Sequence, residues 1–548
     1  MPARNEMILA ELVRSRAEQR PDFEVLTFEH LSLNAGRTAD EVRSYAELAT
    51  HGNRIAAALI ARGMARGDRF ALMMRNHPEF VETLIAASLT GCVAVPIDPR
   101  CRGAKLAYML RDAGCRGVLC ADYALPEVVA ARAAVPGIAW VLALESGEGG
   151  APGLAVANGV DSLLEVLAKP VASVDLRLQT PTDPLQILYT SGTTGDPKGV
   201  VFPNARFGAY AAVGLIAGYE PGDRPYTGLS LTHGNAQAVT LGPSLSMGLR
   251  AVFSRRFTKS KLWDVCRAYG CTAFSLLGGM ATALYAEPRK ADDGDNPVRR
   301  VTSAGMPAGI WQAFAERFQV EILEWYAAIE GGIAFNPVGV GPVGSFGKPP
   351  PGLEMKILDA EDRECPPEVQ GEICSRPLDG GAAEVTYYGN PEASRQKTRG
   401  GWLRSGDIGH ADAAGWLFFD YRKGGGIRHN GDFVNAGFVE KAIAEVPAVT
   451  DVFVYGVEAA SGAPGEKDVV AALVPSDASH FDAAAVFAAC RAALEANFVP
   501  TYLQVVDEIP KTASEKPQER FLLAEFAVDA PNVYREPRLE IREAARAR

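Results

Sequence analysis

Residues 188–200 read Leu-Tyr-Thr-Ser-Gly-Thr-Thr-Gly-Asp-Pro-Lys-Gly-Val and continue an apolar run of strand type that begins at Gln186. Four hydroxyl side chains and two glycines occupy residues 190–195, and Lys198 comes three positions later. Glycines allow backbone N–H groups to converge on one point, and hydroxyl groups add donors at little steric cost. Together with a mobile lysine, this composition is typical of a loop that binds a polyphosphate.

The stretch differs from the common phosphate loop G-x-x-x-x-G-K-[ST]. Lys198 follows Asp196-Pro197, and no Ser or Thr that could start a helix comes after it. The alternative is a polar Gly/Ser/Thr surface turn without a ligand, which the same residue types also form.

Composition narrows the class of protein. The 548 residues are enough for several compact lobes, and 47% hydrophobic content supports real cores. A net charge of −11 argues against nucleic acid as a partner. The nine cysteines are scattered without zinc-ligand spacing, which favours a reducing cytoplasm. The N-terminus lacks the apolar core of a signal peptide, and the longest apolar tract, around residues 84–95, is too short for a transmembrane segment.

Strands and helices alternate in the first part of the chain. Ser44 and Glu47 form a capping-box pattern, and Leu48, Ile55 and Leu59 then fall on one helical face. Further strand and helix patterns follow between residues 70 and 120. This alternation predicts a parallel sheet covered by helices on both faces.

Five later segments share an order with the stretch at residues 188–200. They are residues 303–307 (Ser-Ala-Gly-Met-Pro), 325–331, 401–409, 418–434 and 509–516. In this order they resemble the signatures of the adenylate-forming superfamily, and the resemblance covers nearly all of the chain. Within that superfamily the sequence is similar to acyl-CoA synthetases, in particular carnitine/crotonobetaine–CoA ligases and the fatty acid transport and very-long-chain acyl-CoA synthetase proteins.

The resemblance implies roles for individual residues. Lys516 corresponds to the lysine that catalyses adenylation, Glu330 to the residue that holds magnesium, and Tyr326 to the ring that stacks on adenine. Asp407 and Arg422 correspond to residues that contact the ribose, and a carboxylate suits a diol because it only accepts hydrogen bonds. The full set of expected ATP-binding residues is Thr190, Ser191, Gly192, Thr193, Thr194, Gly195, Lys198, Ala304, Gly305, Met306, Tyr326, Asp407 and Arg422.

The resemblance also implies an acyl site and a thiol site. His233 matches a family histidine near the acyl pocket and is included among the catalytic candidates, although Thr232 replaces the usual aromatic residue. Asn235, Gln237, Gly278 and Gly279 are the other residues expected in the substrate pocket. Gly431, Asp432 and Phe433 match the loop that meets coenzyme A.

Several positions depart from the family pattern. Ile329 replaces a threonine that gives a hydroxyl to the phosphate, and Glu515 replaces a glycine beside Lys516. Gly424 and Gly425 replace Lys-Asp at the joint between the two family domains.

The sequence therefore predicts an α/β protein with a large N-terminal AMP-binding domain (residues 1–421) of parallel-type sheets covered by helices. A hinge (422–426) and a small mobile α+β domain (427–548) follow. The predicted activity is ATP-dependent ligation of a small-molecule carboxylic acid, which the sequence does not name, to coenzyme A through an acyl-adenylate, with Mg²⁺. We expect a cytoplasmic protein without a transmembrane segment or nucleic acid partner, and the sequence leaves its oligomeric state open. The alternatives are an adenylation domain that loads a carrier protein and a non-catalytic nucleotide-binding relative.

Overall fold

The structure, a computed structural model, describes residues 4–33, 39–149, 159–170, 173–190, 196–423, 426–429, 432–434, 436–460, 466–512 and 515–537. The described residues belong to two compact units: unit 1 is Met1–Ser275 with Glu384–Lys397, and unit 2 is Leu276–Ala383 with Thr398–Arg548. The predicted division at residues 422–426 stays a prediction.

Helices occur throughout both units. Their bounds are α1 Leu9–Gln19, α2 Tyr45–Ala61, α3 Pro78–Thr90, α4 Gly103–Asp112, α5 Leu125–Ala134, α6 Leu163–Ala168, α7 Asn204–Gly208, α8 Tyr210–Ile216, α9 Gly242–Met247, α10 Leu262–Tyr269, α11 Gly278–Tyr285, α12 Trp311–Phe318, α13 Pro391–Lys397, α14 Ala436–Ala444, α15 Ala483–Ala493 and α16 Glu519–Glu525. A π-helix, Ala236–Leu241, directly precedes α9.

Strands build sheets in both units. Their bounds are β1 Glu24–Phe28, β2 Glu41–Ser44, β3 Arg69–Met73, β4 Val93–Pro96, β5 Cys115–Ala121, β6 Trp140–Leu144, β7 Asp161–Ser162, β8 Pro184–Tyr189, β9 Gly199–Pro203, β10 Pro225–Thr227, β11 Ala251–Phe253, β12 Ala273–Leu277, β13 Arg300–Ala304, β14 Glu321–Ala328, β15 Gly331–Asn336, β16 Ser345–Gly347, β17 Leu353–Leu358, β18 Gly371–Pro377, β19 Leu403–Ala411, β20 Leu417–Arg422, β21 Ile427–His429, β22 Asp432–Val434, β23 Val449–Glu458, β24 Lys467–Pro475, β25 Tyr502–Val505 and β26 Val533–Arg535.

Unit 1 contains the predicted parallel sheet. Its strand order is β7-β6-β5-β3-β4-β8-β9, and every neighbouring pair is parallel except β8 with β9. Strands β12, β10, β11 and β1 also pair in parallel in this unit, and β2 pairs antiparallel with β1. The buried helices and strands make a continuous apolar core, so the predicted α/β class is confirmed.

Helix α2 shows how local sequence sets an element in unit 1. The Ser44 side chain accepts the N–H of Glu47, and the Glu47 side chain accepts the N–H of Ser44. This capping box is the predicted one, and it satisfies donors that a helix start leaves without partners. Leu48, Ile55 and Leu59 are all buried, as their spacing predicts.

Unit 2 contains strands of four sheets. Strands β13 and β14 are parallel, with β15 antiparallel at the edge of β14. A five-stranded antiparallel sheet has the order β16-β20-β19-β18-β17. The C-terminal part holds the hairpin β21-β22 and the sheet β23-β24-β25-β26, with α14 and α15 buried against a common core. This smaller α+β part agrees with the predicted C-terminal domain in type.

Among the residues the structure describes, no helix combines the length and the apolar character that crossing a membrane requires.

Candidate active site

The phosphate-loop candidate joins two antiparallel strands of unit 1. Tyr189 at the end of β8 pairs with Gly199 at the start of β9. The N–H of Thr190 donates to the carbonyl of Lys198 at 3.0 Å, which closes the base of the loop. Lys198 is exposed, with its Nζ 5.7 Å from the Tyr387 ring centre, so its ammonium is available to an anion. Residues 191–195 lie outside the described residues.

Unit 2 brings together the residues expected to hold the nucleoside. The hydroxyl of Tyr326 donates to Oδ2 of Asp407 at 2.7 Å, and Nε of Arg422 lies 3.6 Å from Oδ1. Asp407 and Arg422 are direct partners on β19 and β20. One face of the Tyr326 ring stacks on Phe346 with centres 4.7 Å apart. Burial and the neighbouring Asp407 hold the pKa of Tyr326 well above its usual range, so the phenol stays a donor.

Lys516 lies within electrostatic reach of this group. The pKa of Lys516 is below its ordinary value because surrounding protein desolvates the ammonium and Arg422 repels it, while Asp407 and Glu330 oppose the shift. By surface area the Lys516 residue is nevertheless exposed to solvent. Lys516 is thus within the electrostatic influence of Arg422, Asp407 and Glu330, although 186 positions separate Glu330 from Lys516.

The segment that carries Lys516 is tied by backbone hydrogen bonds. Thr512 N–H donates to the carbonyl of Lys516 at 2.8 Å, and the N–H of Glu515 donates to the carbonyl of Thr512 at 2.9 Å. Glu515 has φ of +58°, in the left-handed region. This conformation costs a residue with a side chain about 1–2 kcal/mol, so the departure from glycine at 515 carries backbone strain.

Glu330 lies in the turn that follows β14 and is partly buried. Magnesium is usually bound by one or two carboxylates together with substrate phosphates, so a single well-placed glutamate fits this ion. Within the described residues, one other set offers three ligand atoms within 4.8 Å of one another: Glu41, His77 and Glu79 in unit 1. Arg255 already pairs with Glu41, and Arg43 lies 3.5 Å from Glu79, while burial raises the pKa of Glu79 to about 8, so this set does not favour a metal ion.

Gly305 and Met306 form a loop at the end of β13. Gly305 has φ of +92°, and its N–H donates to Oε1 of Glu324. The N–H of Met306 donates to Oε2 of the same side chain at 3.1 Å. Sequence reasoning missed Glu324. An acidic residue two positions before Tyr326 gives no local sign that its partners lie in the loop after β13. Ala304 is the last residue of β13 and directly precedes this loop.

The expected pocket glycines contact two different loops of unit 2. A Cβ atom on Gly278 would lie 2.4 Å from the carbonyl oxygen of Gly305. A Cβ on Gly279 would lie 3.4 Å from the carbonyl oxygen of Glu515 and 3.5 Å from Cδ of Pro517. Gly278 is thus a point of close approach to the Gly305 loop, and Gly279 touches the Lys516 segment.

The other acyl-site candidates lie together in unit 1. Nδ1 of His233 accepts the N–H of Asn235 at 3.3 Å. The Oδ1 atom of Asn235, which is 7% exposed, is buried without a partner among the described residues. Gln237 is fully buried, and its carboxamide bonds with Gln186 and with the carbonyl of Leu231. Asn235 Oδ1 therefore remains available to accept a hydrogen bond, whereas the carboxamide of Gln237 already bonds with neighbours in the core.

The thiol-site and hinge candidates fall partly outside the described residues. Gly431, Gly424 and Gly425 lie outside them, and Asp432 and Phe433 belong to β22, which pairs with β21. Of the predicted hinge, Lys423 donates its N–H to the carbonyl of Gly406 at 2.9 Å, and Gly426 packs against the Tyr421 ring.

Comparison with known proteins identifies the family of the chain. The family model described as AMP-binding enzyme matches residues 13–378, and the AMP-binding enzyme C-terminal domain matches residues 439–516. The medium/long-chain-fatty-acid–CoA ligase FadD17 of Mycobacterium marinum is 31% identical over 89% of this chain and 92% of its own. The crotonobetaine/carnitine–CoA ligase of Salmonella typhi is 28% identical over 86% and 91%. The solved anthranilate CoA ligase AuaEII, in complex with anthranoyl-AMP, shares the fold with a TM-score of 0.80 and 22% identity over 96% of this chain and 98% of its own.

The chain therefore belongs to the AMP-binding enzyme family, whose members form adenylates. Within that family it is an AMP-forming acid–thiol ligase that uses ATP and coenzyme A.

Proposed function

We propose that the residues around Lys516 in unit 2 are the adenylation site, where a carboxylic acid and ATP form the acyl-adenylate that coenzyme A then consumes. The observation that supports this proposal is the contact of Asp407 with Tyr326 and Arg422, together with the electrostatic influence of Arg422, Asp407 and Glu330 on Lys516. Charged groups from distant segments thus act on one another, as at a site for a charged ligand.

The first step joins two anions. A carboxylate oxygen attacks the α-phosphorus of ATP, the new P–O bond forms, and the bond to pyrophosphate breaks. Such a step depends on positioning and charge neutralisation more than on proton transfer. We assign the neutralising charge to Lys516 and the binding of the outgoing phosphates to Lys198 with the hydroxyl groups of residues 190–194.

The nucleoside would lie against residues 304–306 and Tyr326. Tyr326 offers the ring face that Phe346 does not cover, and Asp407 keeps lone pairs for a ribose diol besides those used by Tyr326 and Arg422. Arg422, with 54% of its side chain exposed, is free to turn toward the ribose or the α-phosphate.

Glu330 would hold Mg²⁺ in the ATP complex. When bound, the ion would supply positive charge that neutralises the phosphates. Glu330 supplies the single carboxylate that this coordination needs.

In the second step the thiol of coenzyme A attacks the acyl carbonyl, and AMP leaves with the bonding electrons of the C–O bond. We assign the thiol contacts to Gly431, Asp432 and Phe433, and the joint between two poses of residues 427–548 to residues 422–426. Substitution Gly425→Pro would disable one half-reaction far more than the other, because proline fixes φ where a hinge must change it.

The acid would be bound near His233 and Asn235. The unused Oδ1 of Asn235 supports this placement, because a buried acceptor without a partner is unfavourable unless a ligand supplies a donor. The medium- and long-chain fatty acids named for the relative at 31% identity are the first acids to test.

Pyrophosphate release with a panel of acids, measured with and without coenzyme A, tests the function. We expect slow release without coenzyme A, faster release with it, and the matching acyl-CoA as product. A chain that released pyrophosphate but made no thioester would be a carrier-loading adenylation domain. A chain that released none with any acid, yet bound ATP, would be a non-catalytic relative.

A further inference from the structure

We propose that Glu324 is a positioning residue for ATP: its carboxylate fixes the Gly305–Met306 backbone that forms the adenine-binding surface. The inference rests on the proposed function, which places adenine beside residues 304–306. It adds a residue that the family resemblance does not supply.

The contact is a single carboxylate bound to two consecutive backbone N–H groups. Oε1 of Glu324 accepts from Gly305, and Oε2 accepts from Met306 at 3.1 Å. Glu324 is the direct register partner of Ser303 on the parallel strand β13, two residues before the loop begins. The side chain therefore reaches along the sheet edge and ties the first two residues beyond Ala304.

Glu324 shares its strand face with the expected adenine-stacking residue. Successive side chains of a strand alternate in direction, so Glu324 and Tyr326 on β14 point to the same side. One strand thus holds the loop through Glu324 and presents a ring through Tyr326. Strand β14 therefore sets the distance between the Gly305–Met306 loop and the Tyr326 ring, the two surfaces expected to contact adenine.

The Gly305 residue is also confined on its carbonyl side. The oxygen of Gly305 lies so close to Gly278 that a Cβ there would approach it to 2.4 Å. Gly305 itself has φ of +92°, a backbone conformation that favours glycine. The loop is therefore held by hydrogen bonds on its N–H side and by close packing on its carbonyl side.

An acid at this position is unfavourable for the fold alone. Glu324 is 3% exposed, and burial raises the pKa of its carboxyl to about 8, although the N–H groups of Gly305 and Met306 oppose the rise. A glutamine has one acceptor oxygen for the two donors and would turn its own NH₂ toward the second N–H. A carboxylate at this position holds both N–H groups at once, which offsets the cost of burying it.

The test compares Glu324→Gln with Glu321→Gln by ATP-dependent pyrophosphate exchange. Glu321 lies on the same strand, is exposed and pairs with Arg300 at 3.1 Å, so it is a matched control. For Glu324→Gln we expect KM for ATP to rise about tenfold or more, because the substitution leaves a buried backbone N–H of the loop without its acceptor. We expect the preference for ATP over GTP to fall and kcat at saturating ATP to stay within about twofold. Glu321→Gln should change none of these values.

A fall in kcat with unchanged KM for ATP, or no effect of Glu324→Gln, would overturn the inference. If Glu324→Gln does not fold, Glu324→Asp replaces it in the test, because it keeps the carboxyl group but shortens the side chain. The same result is then expected: a higher KM for ATP with kcat nearly unchanged. If the unmodified chain binds ATP by calorimetry but shows no exchange, the proposed function fails, and the Kd for ATP of the same variants then decides the role of Glu324. If the unmodified chain binds no ATP, both proposals fall.

Discussion

The hydroxyl of Tyr326 donates to Oδ2 of Asp407 at 2.7 Å across 81 positions of the sequence. The bond connects the end of β14 to β19, two strands that belong to different sheets of unit 2. It fixes the Tyr326 ring in plane and aligns the Asp407 carboxylate at the same time. In the proposed site, this one hydrogen bond would couple base stacking by Tyr326 to ribose binding by Asp407.

Tyr326→Phe keeps the ring and its stacking on Phe346 but removes this hydrogen bond. We expect KM for ATP in pyrophosphate exchange to rise about tenfold, because a hydrogen bond to a charged acceptor contributes about 1.5–3 kcal/mol. Tyr269→Phe is the matched control, since Tyr269 also donates to a carboxylate, that of Asp40 at 2.8 Å, in unit 1. An equal rise in both variants would mean that general destabilisation, and not the nucleotide contact, is measured.

Lys516→Ala should abolish acyl-adenylate formation and leave thioester formation from a supplied acyl-adenylate largely intact. The reason is that the proposed role of Lys516, neutralising charge, belongs to the first step only. Lys511→Ala, which removes a lysine that pairs with Asp451 at 2.6 Å, is the control and should retain both half-reactions. Equal loss of the two half-reactions in Lys516→Ala would contradict the assignment.

The pH profile of adenylation should reflect the lowered pKa of Lys516. A lysine is cationic below its pKa, so a pKa below the ordinary value moves the loss of activity at alkaline pH to lower pH. Lys516→Arg should retain reduced activity and shift this alkaline limb upward, because a guanidinium stays protonated. Stopped-flow or quenched adenylation from pH 6 to pH 10 measures the limb, and identical limbs in both proteins would refute the role.

Ile329→Thr should tighten ATP binding or raise the adenylation rate. The substitution restores a hydroxyl in the turn before Glu330, and a hydrogen bond to a charged phosphate oxygen is worth about 1.5–3 kcal/mol. Ile333→Thr on β15 makes the same chemical change away from this turn and serves as the control. Unchanged ATP kinetics in Ile329→Thr would show that the turn does not direct residue 329 at the phosphates.

Glu515→Gly should relieve the left-handed strain beside Lys516. We expect the segment to hold its conformation more firmly, by about 1 kcal/mol, with a faster adenylation step. Glu515→Ala removes the carboxylate but not the strain, and Glu368→Gly relieves a similar φ of +65° elsewhere in unit 2. A gain in the adenylation rate with Glu515→Ala equal to that with Glu515→Gly would mean that the carboxylate, and not the backbone, limits the step.

Local patterns in the sequence predicted the fold well. The capping box of Ser44 and Glu47 joins residues within one helical turn, so the local sequence was enough to predict it. The alternation of strands and helices likewise predicted the parallel sheet of unit 1.

Long-range contacts could not be predicted in this way. The amides of Gln186 and Gln237 pair across 51 positions, and nothing near either residue indicates the other. Glu324 shows the same limit, because its partners lie in the loop that follows a different strand. The family resemblance supplied Tyr326 and Asp407 one by one, but the hydrogen bond between them required the structure.

Gly278 and Gly279 have a practical consequence for altering the acid that this ligase accepts. A common way to change acyl selectivity is to enlarge small residues near the pocket, and these two glycines would be natural choices. A methyl group on Gly278 would press on the Gly305 carbonyl at 2.4 Å, whereas one on Gly279 would meet Glu515 at an ordinary 3.4 Å. A library randomised at 278 would therefore lose nucleotide binding before it sampled new acids, and substrate-range engineering should diversify residues around His233 and Asn235 instead.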